Sequence, residues 1–106
     1  MIRKSKYRNI KTEVDGITFD SKKEADRYKF LKLLERAGEI IDLNLQVRFP
    51  FTMEGRVMFT YIADFMYYDK ALTKTIIEDV KGMRTPVYKL KKKLIEQQHK
   101  IKITET

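Results

Sequence analysis

Two short stretches decide how this sequence is expected to fold: residues 60–65 read TYIADF, and residues 75–82 read TIIEDVKG. Each is rich in β-branched and aromatic residues, which favours a strand, and each also contains acidic side chains. Burying a carboxylate in such a run is costly unless the carboxylate has a partner. Because side chains alternate along a strand, Asp79 and Lys81 are expected on one face and Glu78 on the other. If the two strands pair, Asp64 and Asp79 become neighbours.

A helix is predicted upstream of these strands, over residues 21–37. Apolar side chains recur there at helical spacing, and lysines and arginines lie between them. Asp20 or Ser21 can cap the first turn. Glu24 follows Ser21 at the spacing of a capping box, and Gly38 ends the pattern.

The remaining elements follow from strand periodicity and from turn residues. We expect, in chain order, a hairpin over residues 12–19 with an Asp-Gly turn, an alternating strand over 41–49, a long strand over 57–68, a third strand over 75–81, a helix from 85 to about 98, and a short strand over 101–104. Pro50 either closes the alternating strand or bends it. The order of elements predicts one α/β domain, residues 1–106.

Composition restricts the classes of function. The chain has no cysteine and one histidine, which excludes disulfides and thiolate zinc sites and argues against a histidine-based metal site. No apolar run is long enough for a transmembrane helix. With 23 Lys and Arg against 15 Asp and Glu, the net charge of +8 favours a polyanionic partner, above all nucleic acid. Residues 1–11 form a basic arm that we expect to be flexible and to order on DNA.

The acidic residues of the two strands predict a cation site. Two carboxylates that share a site repel each other unless a cation compensates them. A donor set of oxygens, without sulfur, suits Mg²⁺ or Mn²⁺. A structural ion pair between Asp64 and Lys81 would explain the same residues, so the sequence pattern alone leaves both interpretations open.

With its elements in this order, the sequence resembles the PD-(D/E)XK nuclease superfamily over residues 17–104, and within it the small phage-encoded domains described as endonuclease-like or Holliday-junction-resolvase-like. The resemblance is carried by the first-helix acid motif Ser21-Lys22-Lys23-Glu24-Ala25, by Leu45-Gln46 followed by Phe49, by Ala63-Asp64-Phe65 at the Pro-Asp position, and by Asp79-Val80-Lys81-Gly82 as the (D/E)-x-K motif. Ala63 departs from the proline that names the superfamily.

This resemblance implies a restriction-endonuclease-like core: a mixed β-sheet flanked by two helices in the order α-β-β-β-α-β, after an N-terminal hairpin. It implies a Mg²⁺-dependent DNA endonuclease, with Mn²⁺ able to substitute. Lys81 would position or deprotonate the attacking water, and Gln46 would orient Lys81 or that water. Glu78 competes with Asp79 as the acidic ligand, and strand alternation favours Asp79. The implied metal ligands are Asp64, Asp79, the Val80 carbonyl and Glu24.

The resemblance also indicates partners and setting: DNA, a homodimer for symmetric junctions, no organic cofactor and no membrane, in the cytoplasm of a phage-infected bacterium. The expected phosphate contacts are Arg3, Lys4, Lys6, Arg8, Lys89, Lys92 and Lys93. His99 is expected to be solvated at the helix end, where it would interact with the dipole. A non-catalytic DNA-binding module on the same fold is the alternative function.

Overall fold

The structure is a computed structural model, and it describes residues 10–80 and 84–106. In chain order the elements are β1 (Thr12–Val14), β2 (Ile17–Phe19), α1 (Lys22–Arg36), β3 (Ile40–Met53), β4 (Arg56–Asp69), β5 (Lys74–Asp79), α2 (Pro86–His99) and β6 (Ile103–Glu105). The predicted order of elements is confirmed, and the fold is α/β with a mixed sheet and two helices. Within the described residues, neither helix is long and apolar enough to span a membrane.

The main sheet has four strands in the order β3-β4-β5-β6. The pairs β3–β4 and β4–β5 are antiparallel, whereas β5 and β6 are parallel. Parallel neighbours need a crossover connection, and α2 lies in the chain between these two strands. Strands β1 and β2 form a separate hairpin. This topology makes β4 and β5 the central strands, and these two strands contain the acidic residues.

Both helices begin at a side-chain cap. Ser21, rather than Asp20, caps α1, since its hydroxyl accepts a hydrogen bond from the Glu24 N–H at 3.1 Å. Thr85 caps α2 in the same way through the Tyr88 N–H at 3.0 Å, and Pro86 occupies the first helical position. The Ser21 cap places Glu24 in the first turn of α1, with its side chain buried.

Two apolar clusters cover the sheet. The α1 cluster is built on Ala25, Tyr28, Leu31, Ile40, Phe65, Tyr67 and Phe19. The α2 cluster is built on Tyr61, Ala63, Ile77, Ile95 and Ile103. Ile76 packs against the first cluster and its neighbour Ile77 belongs to the second. Because adjacent side chains of a strand point to opposite faces, the two helices cover opposite faces of the sheet.

The boundary between the clusters falls at the predicted site residues. Along β4 the boundary lies at Asp64, between Ala63 in the α2 cluster and Phe65 in the α1 cluster. Along β3, Leu45 packs against the α1 cluster and Phe49 against the α2 cluster. Between them Gln46 has a φ of 53°, in the left-handed region that few non-glycine residues adopt. The regular alternation of side chains between the two faces of the sheet is therefore interrupted at Asp64 and Gln46, two residues that are expected to belong to the active site.

Strand β3 continues through Pro50 to Met53, so the expectation that Pro50 closes the strand is wrong. Proline is tolerated because β3 is an edge strand of the sheet. The end of α2 packs against this region: the His99 Nε2 lies 2.7 Å from the Pro50 carbonyl oxygen, and Gln98 bonds to both the N–H and the C=O of Thr52. His99 thus contacts β3, whereas a purely solvated position was expected.

Candidate active site

Asp64 and Asp79 meet at the end of the β4–β5 ladder. The last paired residues are Phe65 and Glu78, so Asp64 and Asp79 follow one position further on. Asp64 Oδ2 accepts a hydrogen bond from the Val80 N–H at 2.8 Å, and the two aspartate side chains are hydrogen-bonded to each other. Asp79 is 1% exposed. The predicted juxtaposition of these two residues is confirmed.

Asp64 retains its proton to a higher pH than an ordinary aspartate, because its pKa is raised. Burial, the hydrogen bond with Asp79 and the negative charges of Asp79 and Glu24 raise the pKa of Asp64 to about 8, against the lowering effect of the Val80 N–H. Burial and like charge both disfavour a second carboxylate anion. Among residues 10–80 and 84–106, the carboxylates gathered here repel one another, and either a proton or a cation can offset that repulsion.

Glu24 and Gln46 border the aspartate pair from α1 and β3. The Gln46 Nε2 lies 3.5 Å from Glu24 Oε2, at the long limit of a hydrogen bond. Glu24 is 7% exposed and acts on Asp64 through its charge. These four predicted site residues thus come from α1, β3, β4 and β5 or their ends, and Glu24 is linked to Gln46 by a contact and to Asp64 by its charge.

Glu78, the competing acid, has a different environment. The Arg27 guanidinium binds it in a bidentate pair at 2.8 and 2.6 Å, and the Tyr67 hydroxyl donates to its Oε2. Glu78 is 1% exposed and packs toward α1, whereas Asp79 is hydrogen-bonded to Tyr61 of the α2 cluster. The expectation that alternation separates the two acids is confirmed. Glu78 is a member of a buried ion pair and has its charge satisfied there.

The tyrosines that support Asp79 were not predicted from the sequence. The Tyr61 hydroxyl donates to Asp79 Oδ2, and the Tyr61 and Tyr88 rings lie 6.3 Å apart with their hydroxyls interacting. The Tyr88 hydroxyl in turn donates to Glu105 Oε2 at 2.8 Å. Burial raises the pKa of both tyrosines well above its usual range, so both stay protonated. The available signal was that a buried tyrosine needs a hydrogen-bond partner.

The basic residues divide into three groups. Lys81 lies outside the described residues, as do Arg3, Lys4, Lys6 and Arg8, so these expectations stay predictions. Lys89 and Lys93 are exposed on α2. Lys92 is partly buried, and its ammonium lies 3.5 Å from Glu105 Oε2.

The donor set fits a hard divalent cation. The buried groups are carboxylates, and oxygen ligands are those that Mg²⁺ and Mn²⁺ prefer. Over residues 10–80 and 84–106, no three acidic or imidazole side chains converge closely enough to form a complete metal cluster as they stand. Asp79 is hydrogen-bonded to Asp64, whereas Glu24 acts on Asp64 through its charge.

A groove of about 390 Å³ opens beside Tyr61, between β4 and the start of α2. The groove is lined by Thr60, Tyr61, Ile62, Thr85, Val87, Tyr88 and Lys91. The Lys91 ammonium also lies over the Phe59 ring, 5.2 Å from its centroid. The groove therefore lies next to Tyr61, the hydrogen-bond partner of Asp79, and aromatic, hydroxyl-bearing and basic residues line it.

These features define a class: an α/β domain in which a buried and a partly buried carboxylate meet at the end of two central strands, with the lysine-rich helix α2 on the face of the sheet that contains Tyr61. The sequence model of a family described as "Protein of unknown function (DUF1064)" matches residues 4–105, and the chain belongs to this family. No curated protein and no solved structure matches the chain significantly.

Proposed function

We propose that this protein is a Mg²⁺-dependent DNA endonuclease with a restriction-endonuclease-like fold. The observation that carries the proposal is the pair formed by the partly buried Asp64 and the buried Asp79, with Glu24 close enough to raise the pKa of Asp64 further. A stable domain has little reason to collect three carboxylates where one must retain a proton to about pH 8, unless a cation replaces that proton. The resemblance of Asp64 and Asp79-Val80-Lys81 to the PD-(D/E)XK motif supports the same chemistry.

Asp64, Asp79, the Val80 carbonyl and Glu24 would hold the cation. A divalent cation there would supply a Lewis acid and lower the pKa of a bound water. The Val80 N–H fixes one oxygen of Asp64, and Tyr61 fixes one oxygen of Asp79, so neither carboxylate has to reorganise. In this proposal Lys81 positions the water and stabilises charge on the phosphate, and Gln46 orients either Lys81 or the water.

The surface charge supports DNA as the substrate. The net charge of +8 favours binding to a polyanion. The exposed Lys89 and Lys93 lie on the same helix as Lys91, which borders the groove beside Tyr61. Branched DNA cleaved by a homodimer, in the bacterial cytoplasm during a phage cycle, is the substrate and setting that the superfamily resemblance supports.

The test is a cleavage assay on linear, nicked and four-way-junction DNA, with Mg²⁺ and with EDTA. We expect product with Mg²⁺ or Mn²⁺ and none with EDTA. Asp79→Asn should reduce the rate at least about 10²-fold, which is the scale for losing one electrostatic group. A protein that binds these DNAs but cleaves none of them in Mg²⁺ or Mn²⁺ would instead be a non-catalytic DNA-binding module, and the proposal would be wrong.

A further inference from the structure

The two adjacent acids of β5 have the same kind of support on opposite faces. Tyr61 donates its hydroxyl hydrogen bond to Asp79, and Tyr67 donates one to Glu78. Both tyrosines lie on β4, and each is 6% exposed. They differ in what the acid does: Glu78 is neutralised by Arg27, whereas Asp79 is paired with Asp64.

The Tyr61 hydrogen bond is part of a longer chain of contacts. Behind Tyr61, the Tyr88 ring lies 6.3 Å from the Tyr61 ring, and the Tyr88 hydroxyl donates to Glu105. Glu105 also accepts a hydrogen bond from Arg84 at 2.7 Å and lies 3.5 Å from the Lys92 ammonium. The chain therefore runs from charged groups at the end of β6 and on α2 to the carboxylate of Asp79. The Tyr61 and Tyr88 side chains, which lie between Asp79 and Glu105, are therefore restricted in rotation.

We infer that Tyr61 is a positioning residue for the metal ligand Asp79, held in place by Tyr88. This inference rests on the proposed function, since it assigns Tyr61 to the same cation site. A carboxylate that binds a metal through one oxygen is commonly hydrogen-bonded through the other, which fixes its orientation and lowers the reorganisation needed on binding. The Tyr61 hydroxyl donates to Asp79 Oδ2, and in this assignment Asp79 binds the cation through Oδ1. Tyr61 itself does not touch the substrate or the reacting atoms in this assignment.

The experiment compares Tyr61→Phe with the matched control Tyr67→Phe, using Mn²⁺ as the probe and the full chain without DNA. Free Mn²⁺ is followed by electron paramagnetic resonance during a titration, so the readout does not depend on cleavage. We expect Tyr61→Phe to weaken Mn²⁺ binding about 10–100-fold, which is the usual effect of removing an outer-shell partner. Tyr67→Phe should leave the dissociation constant within about twofold, because Glu78 is not a ligand in this assignment.

Two further results complete the test. Tyr88→Phe keeps the Tyr61 hydroxyl but removes the hydroxyl of the neighbouring Tyr88. We expect this variant to bind Mn²⁺ more weakly than wild type, but less weakly than Tyr61→Phe does. It also tests the inference if Tyr61→Phe does not fold. Equal Mn²⁺ affinity in wild type, Tyr61→Phe and Tyr88→Phe would overturn the inference and leave the proposed function standing. A wild-type protein that does not bind Mn²⁺ even with an uncleavable DNA would overturn the proposed function, and the inference with it.

Discussion

Asp64 makes the stability of the protein depend on pH, because its side chain keeps a proton in the folded state that it would release in an unfolded chain. Its pKa is about 8 in the fold, against about 3.9 for aspartate in an unfolded chain. Since the folded state binds more protons between these values, the free energy of unfolding falls as the pH rises from about 4 to about 8. The slope contributed by one proton is at most about 1.4 kcal/mol per pH unit.

Asp64→Asn should remove this slope in EDTA. The asparagine oxygen can accept from the Val80 N–H and its amide can donate to Asp79, so the variant imitates the protonated aspartate. We expect the variant to match wild type near pH 4 and to exceed it increasingly toward pH 8, by at least about 1 kcal/mol at pH 7. Urea unfolding of both proteins across this range measures the difference. Parallel pH profiles would contradict the assigned protonation of Asp64.

Glu78 and Asp79 should respond oppositely to loss of charge. Glu78→Gln weakens the pair with Arg27, so we expect a loss of about 1–3 kcal/mol of stability with cleavage nearly unchanged. Asp79→Asn should cost little stability in EDTA and at least about 10²-fold in cleavage rate. Melting curves and rates of both variants check this pair. If a folded Glu78→Gln protein lost cleavage while Asp79→Asn stayed active, Glu78 rather than Asp79 would be the metal ligand.

At the scale of elements, α2 shows how packing modifies a charge pattern. The sequence predicts equal phosphate contacts for Lys89, Lys92 and Lys93, but Lys92 lies near Glu105. We expect the double change of Lys89 and Lys93 to alanine to reduce the slope of log K against log salt by about two. Adding Lys92→Ala should reduce the slope by less than one further unit. DNA binding measured at several salt concentrations tests this, and an unchanged slope would place the DNA elsewhere.

Local sequence rules predict the elements well where one rule dominates. The Ser21 and Thr85 caps and the alternation that separates Glu78 from Asp79 all follow from spacing. What the sequence could not predict depends on contacts between distant residues. The Tyr61 bond to Asp79 joins residues 18 positions apart, and the Arg27 bond to Glu78 joins residues 51 positions apart. Pro50 inside β3 likewise required knowledge that β3 is an edge strand.

At the scale of the whole molecule, the candidate site joins α1, β4 and β5 through Glu24, Asp64 and Asp79. A cation held there binds only the folded chain, so its binding energy adds to the stability of the entire domain. Mg²⁺ at ten times its dissociation constant should stabilise wild type by about 1.4 kcal/mol. For a domain of this size, a change of that order raises the melting temperature by several degrees.

The most direct test of the metal site is therefore the melting of wild type and Asp64→Asn at pH 7, each in EDTA and in Mg²⁺. We expect Asp64→Asn to melt higher in EDTA, by about 4–8 °C per kcal/mol gained, and this advantage to shrink or reverse in Mg²⁺ because one ligand is gone. An Asp64→Asn protein that melts lower than wild type in EDTA, with no response of wild type to Mg²⁺, would contradict it.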